Sequence, residues 1–383
     1  MRISCLQENL SKGLGVVGRA VATRTTLPIT NHVLISTEDS RLKLSATNLE
    51  VAISCWIGAQ IEEEGDIAVP ANLLSDFVIS LPSETIDISV PAESKVMEVK
   101  CGKSEAHISG QKGEEFPPIP QIGEGIATTI DAKALRTAIE HVIFAAATDD
   151  SRPVLTGVYA RFSGDNLTLV AADGFRLAVY YITIGEAVSE DLGVIIPARS
   201  MRELDRLLRD QSDPVEITIN PQKSQILFRL RNKEPKRDVE LVSQLIQGTF
   251  PDYHQLIPQN YATRVKVDVP DFLRAVRSAS VFARDGSGIV RFQVNPGNQD
   301  SPGKIDISAR AEELGDNEDS IEASVEGEGA KIAFNSKYLM DVFGALSEEQ
   351  VLMEVTTSSS PGVFRPVEGE RWLQVIMPMF VQW

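Results

Sequence analysis

Cysteine, long apolar runs and catalytic motifs are all scarce in this sequence. Its 383 residues include three cysteines, Cys5, Cys55 and Cys101, all in the first third and without metal-ligand spacing. Few cysteines, in odd number, argue against a disulfide framework and predict reduced core thiols of a cytosolic protein. No run of about 18 apolar residues occurs, so the sequence predicts no membrane span. The first residues, MRISCLQENL, lack the apolar segment of a secretory signal.

Catalytic and metal-binding constellations are missing as well. The sequence contains no nucleophile elbow, no Walker loop and no carboxylate pair placed for acid–base work. Gly13, Gly15 and Gly18 spell G-x-G-x-x-G, but the polar segment QENLSK before them argues against a dinucleotide loop. The four histidines are scattered, without a second ligand at metal spacing: His32, His107, His141 and His254. We predict no catalytic residue, no metal and no cofactor, and interpret His141 as a packing or surface residue.

Positive charge is also in short supply. The chain has 37 basic and 54 acidic residues, which gives a formal net charge of −17. This balance argues against a protein that coats nucleic acid, although it does not exclude a local basic surface. The hydrophobic fraction of 43% suffices for buried cores, and the length predicts two or three domains.

One segment of the sequence occurs three times. Its copies each read strand, helix, strand, and they lie at 67–90, 194–219 and 332–355. An amphipathic helix is predicted ahead of each copy: Gln7–Val21, Asp131–Ala146 and Asp271–Ala283. Alternating strands between these elements begin at Leu42, Leu167 and Ile305, which lie 125 and 138 residues apart. A period of this length indicates a duplicated domain rather than a solenoid.

The repeats predict an α+β fold of three domains. Strand residues alternate between apolar and polar types, as in Val215–Ile219, so one face of each sheet is buried. The two helices of each repeat are expected to cover that face and to leave their other sides exposed. We place the domains at 1–127, 128–258 and 259–383, at the exits of the Pro-rich segments GEEFPPIP and GTFPDYHQLIP.

The exposed sides of the predicted helices carry basic residues. In the helix at 199–210, four arginines lie opposite the apolar stripe: Arg199, Arg202, Arg206 and Arg209. The equivalent positions of the helices at 7–21 and 271–283 hold further cations: Lys12, Arg19, Arg274 and Arg277. The six helical segments used for the charge count are 8–24, 72–81, 131–146, 199–210, 271–284 and 337–346. Of the net charge of −17 they contribute +4, which leaves −21 on the remaining residues.

Two interpretations of these basic faces are open. One is a solvated surface held by i,i+4 ion pairs: Arg199–Glu203, Asp205–Arg209 and Arg206–Asp210. The other is a surface that approaches a polyanion, which the acidic remainder of the protein would repel.

Several short motifs resemble one protein family. DGFRL (Asp173–Leu177), FPDY (Phe250–Tyr253) and VIMPM (Val375–Met379) closely resemble the bacterial DNA polymerase III beta subunits, the sliding clamps. TTLPI (Thr25–Ile29), VPA (69–71) and FNSKYLMDVFGAL (334–346) are similar too, and the motifs span the whole chain in the family's order. The resemblance implies a non-enzymatic processivity factor of DNA replication, in the cytoplasm at the nucleoid. It also implies three like clamp domains, with sheets outside and helices inside, and two chains that close head to tail as a homodimeric ring.

The resemblance implies that the helix faces meet double-stranded DNA without reading its sequence, through phosphate contacts that permit sliding. Arg24 matches a family DNA contact, Arg199 stands where a lysine is expected, and Asn72 stands at a position that is usually basic. The candidate DNA-binding residues are Arg24, Arg199, Arg202, Arg206, Lys12, Arg19, Arg274 and Arg277.

In the family, a hydrophobic cleft captures a short peptide of the DNA polymerase III alpha subunit, the clamp-loader complex and other clamp-binding proteins. These others include repair polymerases, ligase and mismatch repair proteins. The matching positions here are Leu155, Ala172, Gly174, Phe175, Arg176, Leu177, Pro251, Leu256, Val375, Met377, Pro378 and Met379. Exposed Met and Leu beside a Pro-fixed wall would form an adaptable apolar pocket. The alternative is that these residues are core and chain-end packing.

This chain departs from the family pattern around the cleft. Ala172 and Phe175 stand where threonine and histidine are usual, and Leu256 replaces a valine. Phe380 replaces a basic residue, and VQW follows it. Two other functions stay compatible with the residues alone: an enzyme on a triplicated α+β scaffold, and a monomeric peptide-binding scaffold without a DNA role. The first requires a convergent polar site, and the second predicts a stable species near 42 kDa.

Overall fold

The computed structural model describes residues 1–22, 26–92, 94–232, 237–283, 288–298, 302–311 and 315–383. These residues form six α-helices: α1 (Gln7–Val17), α2 (Ala71–Ser80), α3 (Ala132–Val142), α4 (Ala198–Leu208), α5 (Val269–Ala283) and α6 (Ser336–Ala345). The strands, in chain order, are β1 (Arg2–Leu6), β2 (His32–Glu38), β3 (Arg41–Thr47), β4 (Val51–Ile57), β5 (Gln60–Glu63), β6 (Asp66–Pro70), β7 (Thr85–Ser89), β8 (Val96–Cys101), β9 (Ser104–Ser109), β10 (Ile126–Ile130), β11 (Gly157–Ser163), β12 (Asn166–Ala172), β13 (Arg176–Thr183), β14 (Leu192–Pro197), β15 (Val215–Ile219), β16 (Gln225–Asn232), β17 (Arg237–Gln244), β18 (Thr263–Asp268), β19 (Ile289–Asn295), β20 (Lys304–Ala311), β21 (Gly315–Glu322), β22 (Ser324–Gly327), β23 (Ala330–Asn335), β24 (Gln350–Val355), β25 (Gly362–Pro366) and β26 (Trp372–Ile376).

The chain folds as two compact units with two sheets each. Unit 1 comprises Met1–Arg136, Ile184–Glu190 and Arg199–Ile246, and unit 2 comprises Thr137–Thr183, Asp191–Ala198 and Gln247–Trp383. Unit 1 holds a five-stranded sheet, β5-β1-β7-β8-β9, and an eight-stranded sheet, β10-β15-β16-β17-β4-β3-β2-β6. Unit 2 holds a nine-stranded sheet, β14-β11-β12-β13-β26-β25-β24-β18-β22, and a four-stranded sheet, β21-β20-β19-β23. Neighbouring strands pair antiparallel, which confirms the α+β prediction.

The order of elements repeats three times along the chain, which confirms the predicted triplication. A first helix (α1, α3 or α5) is followed by strands, a second helix (α2, α4 or α6) and three further strands. The predicted strand Val215–Ile219 is β15, and buried residues alternate with half-buried ones along it. One face of this strand is therefore turned to a core, as its period of two predicts.

The ends of the first helices differ from the prediction. α1 ends at Val17 and α3 at Val142, and 3-10 helices continue over Gly18–Ala20 and Ile143–Ala145. The apolar pattern runs on through these tighter turns, so the pattern places both helix ends too late. Within the observed bounds the six helices carry a net charge of +2 instead of +4.

α1 packs closely on the eight-stranded sheet of unit 1. Its residues Leu10, Leu14 and Val17 recur at helical spacing and are all buried. A Cβ atom on Gly13 would lie 2.7 Å from Leu44 Cδ1, so this glycine permits the close approach of helix and sheet. Gly13 thus lies inside a helix that begins directly after β1, rather than in a loop that could hold phosphate.

The core of unit 2 beneath α5 and α6 is aromatic. Phe272 of α5 stacks on Phe292 and Phe343 at ring-centroid distances of 5.5 and 4.4 Å. Phe343 of α6 also meets Phe364 edge to face at 5.5 Å. These rings are at most 2% exposed. Stacked and edge-to-face rings of this kind stabilise a core beyond the area that they bury.

The cysteines behave as core residues. Cys5, Cys55 and Cys101 are buried. Burial, with a smaller effect of Asp87, raises the pKa of the Cys5 thiol to about 12, so this thiol stays protonated and unreactive. Among the described residues, no helix is long and apolar enough to cross a membrane.

Candidate functional site

The basic face of α4 lies where the helical period predicts it. Met201, Leu204, Leu207 and Leu208 are at most 3% exposed, and they form the buried stripe. The four arginines opposite them are exposed: Arg199, Arg202, Arg206 and Arg209. The apolar stripe drives the helix onto its sheet, and the guanidinium groups are left in solvent as a consequence.

Two acidic residues hold part of this basic face in place. Glu203, which is 8% exposed, accepts Arg206 Nη1 at 2.8 Å and lies 3.9 Å from Arg19 Nη1. Asp205 lies 3.7 Å from Arg209 and 3.5 Å from Arg136. The predicted pair Asp205–Arg209 is present, whereas Arg206 bonds Glu203 rather than Asp210. Each carboxylate is thus shared by two cations, and the face keeps an excess of positive charge.

The other candidate cations are exposed too. Lys12 lies on α1, Arg19 in the 3-10 turn after it, and Arg277 on α5. Arg274 pairs with Asp271 at 2.7 Å. Arg24, the residue that matches a family DNA contact, lies outside the described residues. In the part of the chain that the structure describes, Arg199 and Arg202 form no ion pair, so their charge is free for a ligand.

The candidate cleft residues all belong to unit 2, and the turn between β12 and β13 is its most constrained part. Asp173 Oδ1 accepts the N–H groups of Phe175 and Arg176 at 2.9 and 3.0 Å. Gly174 has φ +94°, and a Cβ there would lie 2.8 Å from Arg152 Nη1. Arg152 in turn donates to the Asp173 carbonyl at 2.9 Å. The positive φ therefore favours glycine at this position.

Strand pairing brings the end of β26 against this turn. Leu177 pairs with Val375, Arg176 with Ile376, and the Met377 N–H donates to the Phe175 carbonyl at 2.8 Å. The wall Val375–Met379 is thereby fixed beside the turn. Long-range pairing of residues almost 200 positions apart was invisible to the strand pattern alone.

The segment with Pro251 and Leu256 is held against the residues before β11. The Phe250 ring stacks on the Tyr159 ring with 5.2 Å between the ring centroids. A Cβ atom added to Gly248 (φ +133°) would lie 2.8 Å from Val154 Cγ1. Burial raises the pKa of Tyr253, which follows Pro251, to about 12. Because Val154 precedes Leu155, these contacts bring the Pro251 segment to the Leu155 end of the candidate cleft.

Exposure divides the candidate cleft residues into two groups. Leu155, Ala172, Leu177 and Val375 are at most 7% exposed and are core residues of unit 2. Phe175, Leu256 and Met377 are 57, 50 and 41% exposed. The expectation of exposed Met and Leu is thus correct for Met377 and Leu256 and wrong for Leu177 and Leu155. The buried group can support a binding surface, and the exposed group can meet a partner directly.

Arg176 has a structural role within unit 2. Its guanidinium bonds Asp173 Oδ2 at 3.0 Å, Asp341 Oδ2 at 2.6 Å and the Phe144 carbonyl at 2.5 Å. It also lies over the Tyr338 ring at 4.6 Å. Its donors are therefore used inside unit 2, where they tie the β12–β13 turn to α6. The sequence analysis missed Asp341 and Tyr338, although their i,i+3 spacing in α6 puts both on one helix face.

Two backbone hydrogen bonds hold the cleft segments of unit 2 in place, and we call this pair of bonds the backbone frame. An equivalent frame occurs in unit 1. There the Gln244 N–H donates to the Glu50 carbonyl at 2.8 Å, and the Ala22 N–H to the Thr30 carbonyl at 3.1 Å. The corresponding bonds of unit 2 are Met377 to Phe175 and Ala147 to Leu155, both at 2.8 Å. Asn48 Oδ1 accepts two N–H groups as Asp173 does.

The two frames differ in their side chains. Glu50, Gln244 and Thr30 occupy the places of Phe175, Met377 and Leu155. Since the polar set has far less apolar surface to offer, only the frame in unit 2 suits an apolar ligand.

His141 supports the strands that carry the cleft. It is 2% exposed, meets Tyr180 edge to face at 4.9 Å, and its carbonyl accepts Gln374 Nε2 at 2.8 Å. Its ring nitrogen Nδ1 lies 2.8 Å from the Thr137 carbonyl and donates to it. Of the two predicted roles, packing residue or surface residue, the burial of His141 supports the packing residue. Burial lowers the pKa of His141 below its ordinary 6.5, against smaller opposing effects of Thr137 and Glu348.

This burial predicts an acid-dependent loss of stability. Below about pH 6.5 the unfolded chain binds a proton at His141 and the folded chain does not, so the free energy of unfolding falls with a slope approaching about 1.4 kcal/mol per pH unit. His141→Gln is expected to remove this slope at a fixed cost in stability. Urea unfolding at about pH 7.5 and 5.5 measures it. The exposed His107→Gln leaves His141 in place and should lose stability in acid as the wild type does; equal behaviour of the two variants would contradict the assignment.

Three family models match the chain, as the N-terminal (residues 1–120), central (129–252) and C-terminal (254–380) domains of the DNA polymerase III beta subunit. The beta sliding clamp of Synechocystis sp. is 33% identical over 401 residues, and that of Bacillus subtilis 30% over 389, with 99% of each chain covered in both cases.

Solved structures agree with these matches. The DNA polymerase sliding clamp of Bacillus subtilis superimposes with a TM-score of 0.93 at 29% identity, and a Pseudomonas aeruginosa clamp bound to griselimycin with 0.90 at 30%. Each alignment covers 100% of both chains. The resemblance in the short motifs is thereby confirmed over the full length: the chain belongs to the DNA polymerase III beta subunit family.

Proposed function

We propose that this protein is a DNA sliding clamp, a non-enzymatic processivity factor that encircles duplex DNA as a homodimeric ring and tethers the replicative polymerase. The observation that carries the proposal is the full-length similarity to relatives named beta sliding clamps, with each third of the chain matched by its own domain model. Domains 1–127, 128–258 and 259–383, each with two helices, are the units that we propose for the ring. It acts in the cytoplasm, at the nucleoid.

The charge distribution supports a DNA channel lined by helices. The helices are weakly basic, and the remainder of the chain is strongly acidic. Arg199 and Arg202 of α4, with Lys12, Arg19, Arg274 and Arg277, would attract phosphates without reading bases. A small excess of positive charge suits a ring that holds DNA by topology, because tight ion pairs would slow its sliding.

The outer strands of two sheets support a contact between chains. In the four-stranded sheet, one outer strand is β23, whose Ala333 carbonyl accepts the Met379 N–H. The other outer strand is β21, which carries Asp316, Glu318, Asp319 and Glu322. Two β21 strands would repel each other, as would β21 and the acidic β5. β9 is the other outer strand of its sheet and has one acid, Glu105, with Lys103 in the turn before it. We therefore propose that β21 of one chain pairs with β9 of the other, head to tail.

The cleft in unit 2 is the proposed site for partners. It combines the exposed residues Phe175, Leu256 and Met377 with the buried apolar residues Leu155, Leu177 and Val375. Such a surface suits an extended apolar peptide, and methionine adapts to several of them. We propose that the DNA polymerase III alpha subunit, the clamp loader, repair polymerases, ligase and mismatch repair proteins bind here.

A topological experiment tests the ring. The protein is loaded on nicked circular DNA by a clamp loader, and the circle is then linearised. Retention on the circle and rapid loss from the linear DNA are expected. A closed ring cannot leave circular DNA, but it can slide off a free end. Gel filtration of the protein–DNA mixture before and after cleavage measures the bound fraction.

An Arg199→Ala/Arg202→Ala variant separates topology from charge. Once loaded, it should stay on the circle and leave the linear DNA as the wild type does. Equal retention of the wild-type protein on circular and linear DNA would contradict the proposed ring. Loss of the double variant from intact circles would contradict it as well.

A further inference from the structure

Residues 111–126, which we call the strap, connect the two outer strands of the eight-stranded sheet in unit 1. At the start of the strap, Gln111 forms two backbone hydrogen bonds with Ala68 of β6, at 2.8 and 2.9 Å. At its end, Ile126 begins β10 and pairs with Ile219 of β15. β6 and β10 are the first and last strands of this sheet. The strap therefore crosses the whole sheet, from the strands of the first repeat to those of the second.

Two buried apolar residues anchor the strap on the sheet. Phe116 is 5% exposed and packs in one cluster with Ala68 of β6, in the first repeat. Ile122 is 8% exposed and packs in another cluster with Leu227 of β16 and Val242 of β17, in the second repeat. The strands of the two repeats meet where β4 pairs with β17. The two anchors thus lie on opposite sides of this junction.

Strand pairing puts both anchors on the face of the sheet that points away from α1. Directly paired residues share a face, and one such row crosses four strands: Ala68, Leu34, Ser45 and Ser54. Ala52, two positions before Ser54, shares this face and pairs with Val242 of β17. Leu44, which lies against Gly13 of α1, precedes Ser45 and so points to the opposite face.

Small side chains form the floor between the two anchors. Ser45, Ala52 and Ser54 are at most 4% exposed, and the Ser45 and Ser54 hydroxyl oxygens lie 2.8 Å apart. Because the strap is anchored on both sides of these residues, it runs above them. Small residues at this place let the strap lie close to the sheet.

The strap is stiff between its anchors. Pro117, Pro118 and Pro120 fall in this part, and Phe116 has polyproline II angles, φ −76° and ψ 140°. At ~3.1 Å per residue, the six steps from Phe116 to Ile122 span ~19 Å. From β6 to β17 the sheet order counts four strand spacings, which is also ~19 Å at ~4.8 Å each. The strap therefore has little slack and resists any movement that separates the anchors.

We propose that the strap is a brace, which fixes the bend between the first two repeats and thereby slows the opening of the ring. One contact between two chains can part while the other holds only if a chain flexes. Flexing at the β4–β17 junction would pull Phe116 or Ile122 off the sheet. This inference rests on the proposed function, because it needs a ring that opens.

The test measures the half-life of the protein on nicked circular DNA after the clamp loader has been removed. An insertion of two glycines between Pro118 and Ile119 slackens the strap and keeps both anchors. It is expected to shorten the half-life about tenfold, because opening no longer pulls the Phe116 ring from its cluster. The matched control carries the same insertion between Ser189 and Glu190, two exposed residues of unit 1, and should keep the wild-type half-life.

A second variant keeps the length of the strap and removes its stiffness. Pro118→Gly/Pro120→Gly is expected to shorten the half-life about threefold, since a glycine-rich segment bends where a proline-rich one does not. In a Phe116→Ala background the glycine insertion should cause no further loss, because both changes release the same brace. Sedimentation equilibrium should give each variant the mass of the wild type, so that a shorter half-life reports opening of the ring.

The outcomes separate the brace from the ring. Wild-type half-lives of the strap insertion and of Pro118→Gly/Pro120→Gly overturn the brace and leave the ring intact. An equally shortened half-life of the control insertion overturns the brace too, since the effect would then be a general loss of stability. Equal retention of the wild-type protein on circular and linear DNA overturns the ring and the brace together.

Discussion

Replacing Phe175, Leu256 and Met377 together by alanine is expected to weaken binding of the alpha subunit about a hundredfold. The three side chains are 57, 50 and 41% exposed in the free chain, so they contribute little to its core and can bury their surface against a partner. Surface plasmon resonance with the purified alpha subunit measures the loss. Solution mass and thermal unfolding should match the wild type.

The choice of exposed residues decides what this variant can show. Leu177→Ala, in contrast, removes a side chain that is 2% exposed and would cost about 2–5 kcal/mol of folding stability. A loss of binding in that variant would not separate a site from a core. Val367→Ala, at a 40% exposed position of the same unit, is the matched control and should bind normally. Wild-type affinity of the triple variant would contradict the proposal that the partner binds at these three residues.

Val281→Asp is expected to convert the proposed homodimer into a monomer of 41.9 kDa. Val281 is 54% exposed on α5, the helix that packs on β20 and β21. This helix therefore lies beside β21, the acidic outer strand that we propose to meet β9. A carboxylate there would be buried without a partner in the closed ring, and the cost of such burial exceeds what one dimer contact returns. Sedimentation equilibrium gives the mass.

The matched control is Val367→Asp, which places the same charge at another exposed position of unit 2. It should remain a dimer and stay on circular DNA, whereas Val281→Asp should leave circles as fast as linear molecules. A dimeric Val281→Asp protein would contradict the proposed contact. A dimer of this variant that still stays on circles would mean that the ring closes elsewhere.

Periodic features of this fold could be predicted from the sequence. The three arginines of α4, Arg209 directly after it and the buried stripe of the helix follow from a period of 3.6. The alternation in β15 follows from a period of two. Both are properties of a local segment. The threefold repeat was visible because the copies keep their offsets.

Features that depend on distant partners could not be predicted. Leu177 reads as an exposed cleft residue, yet β26 pairs beside it and buries it, although 198 residues separate it from Val375. Arg176 matches a cleft position by resemblance, yet Asp341 and the Phe144 carbonyl accept hydrogen bonds from its guanidinium. Such contacts depend on which strands become neighbours, and a local pattern contains no such information. The positions of the cleft residues were found by resemblance, and their exposure needed the structure.

The recurrence of the cleft frame in unit 1, with polar side chains, sets the valence of the molecule. The described residues contain two such backbone frames, of which one presents Phe175 and Met377 and the other presents Glu50 and Gln244. The proposed ring would then be bivalent and not tetravalent. One partner can stay bound at one cleft while a second partner binds at the other. The two partners are then held near each other at an effective concentration of about a millimolar. An exchange of polymerases would in that case be an intramolecular event on a ring that never leaves its DNA.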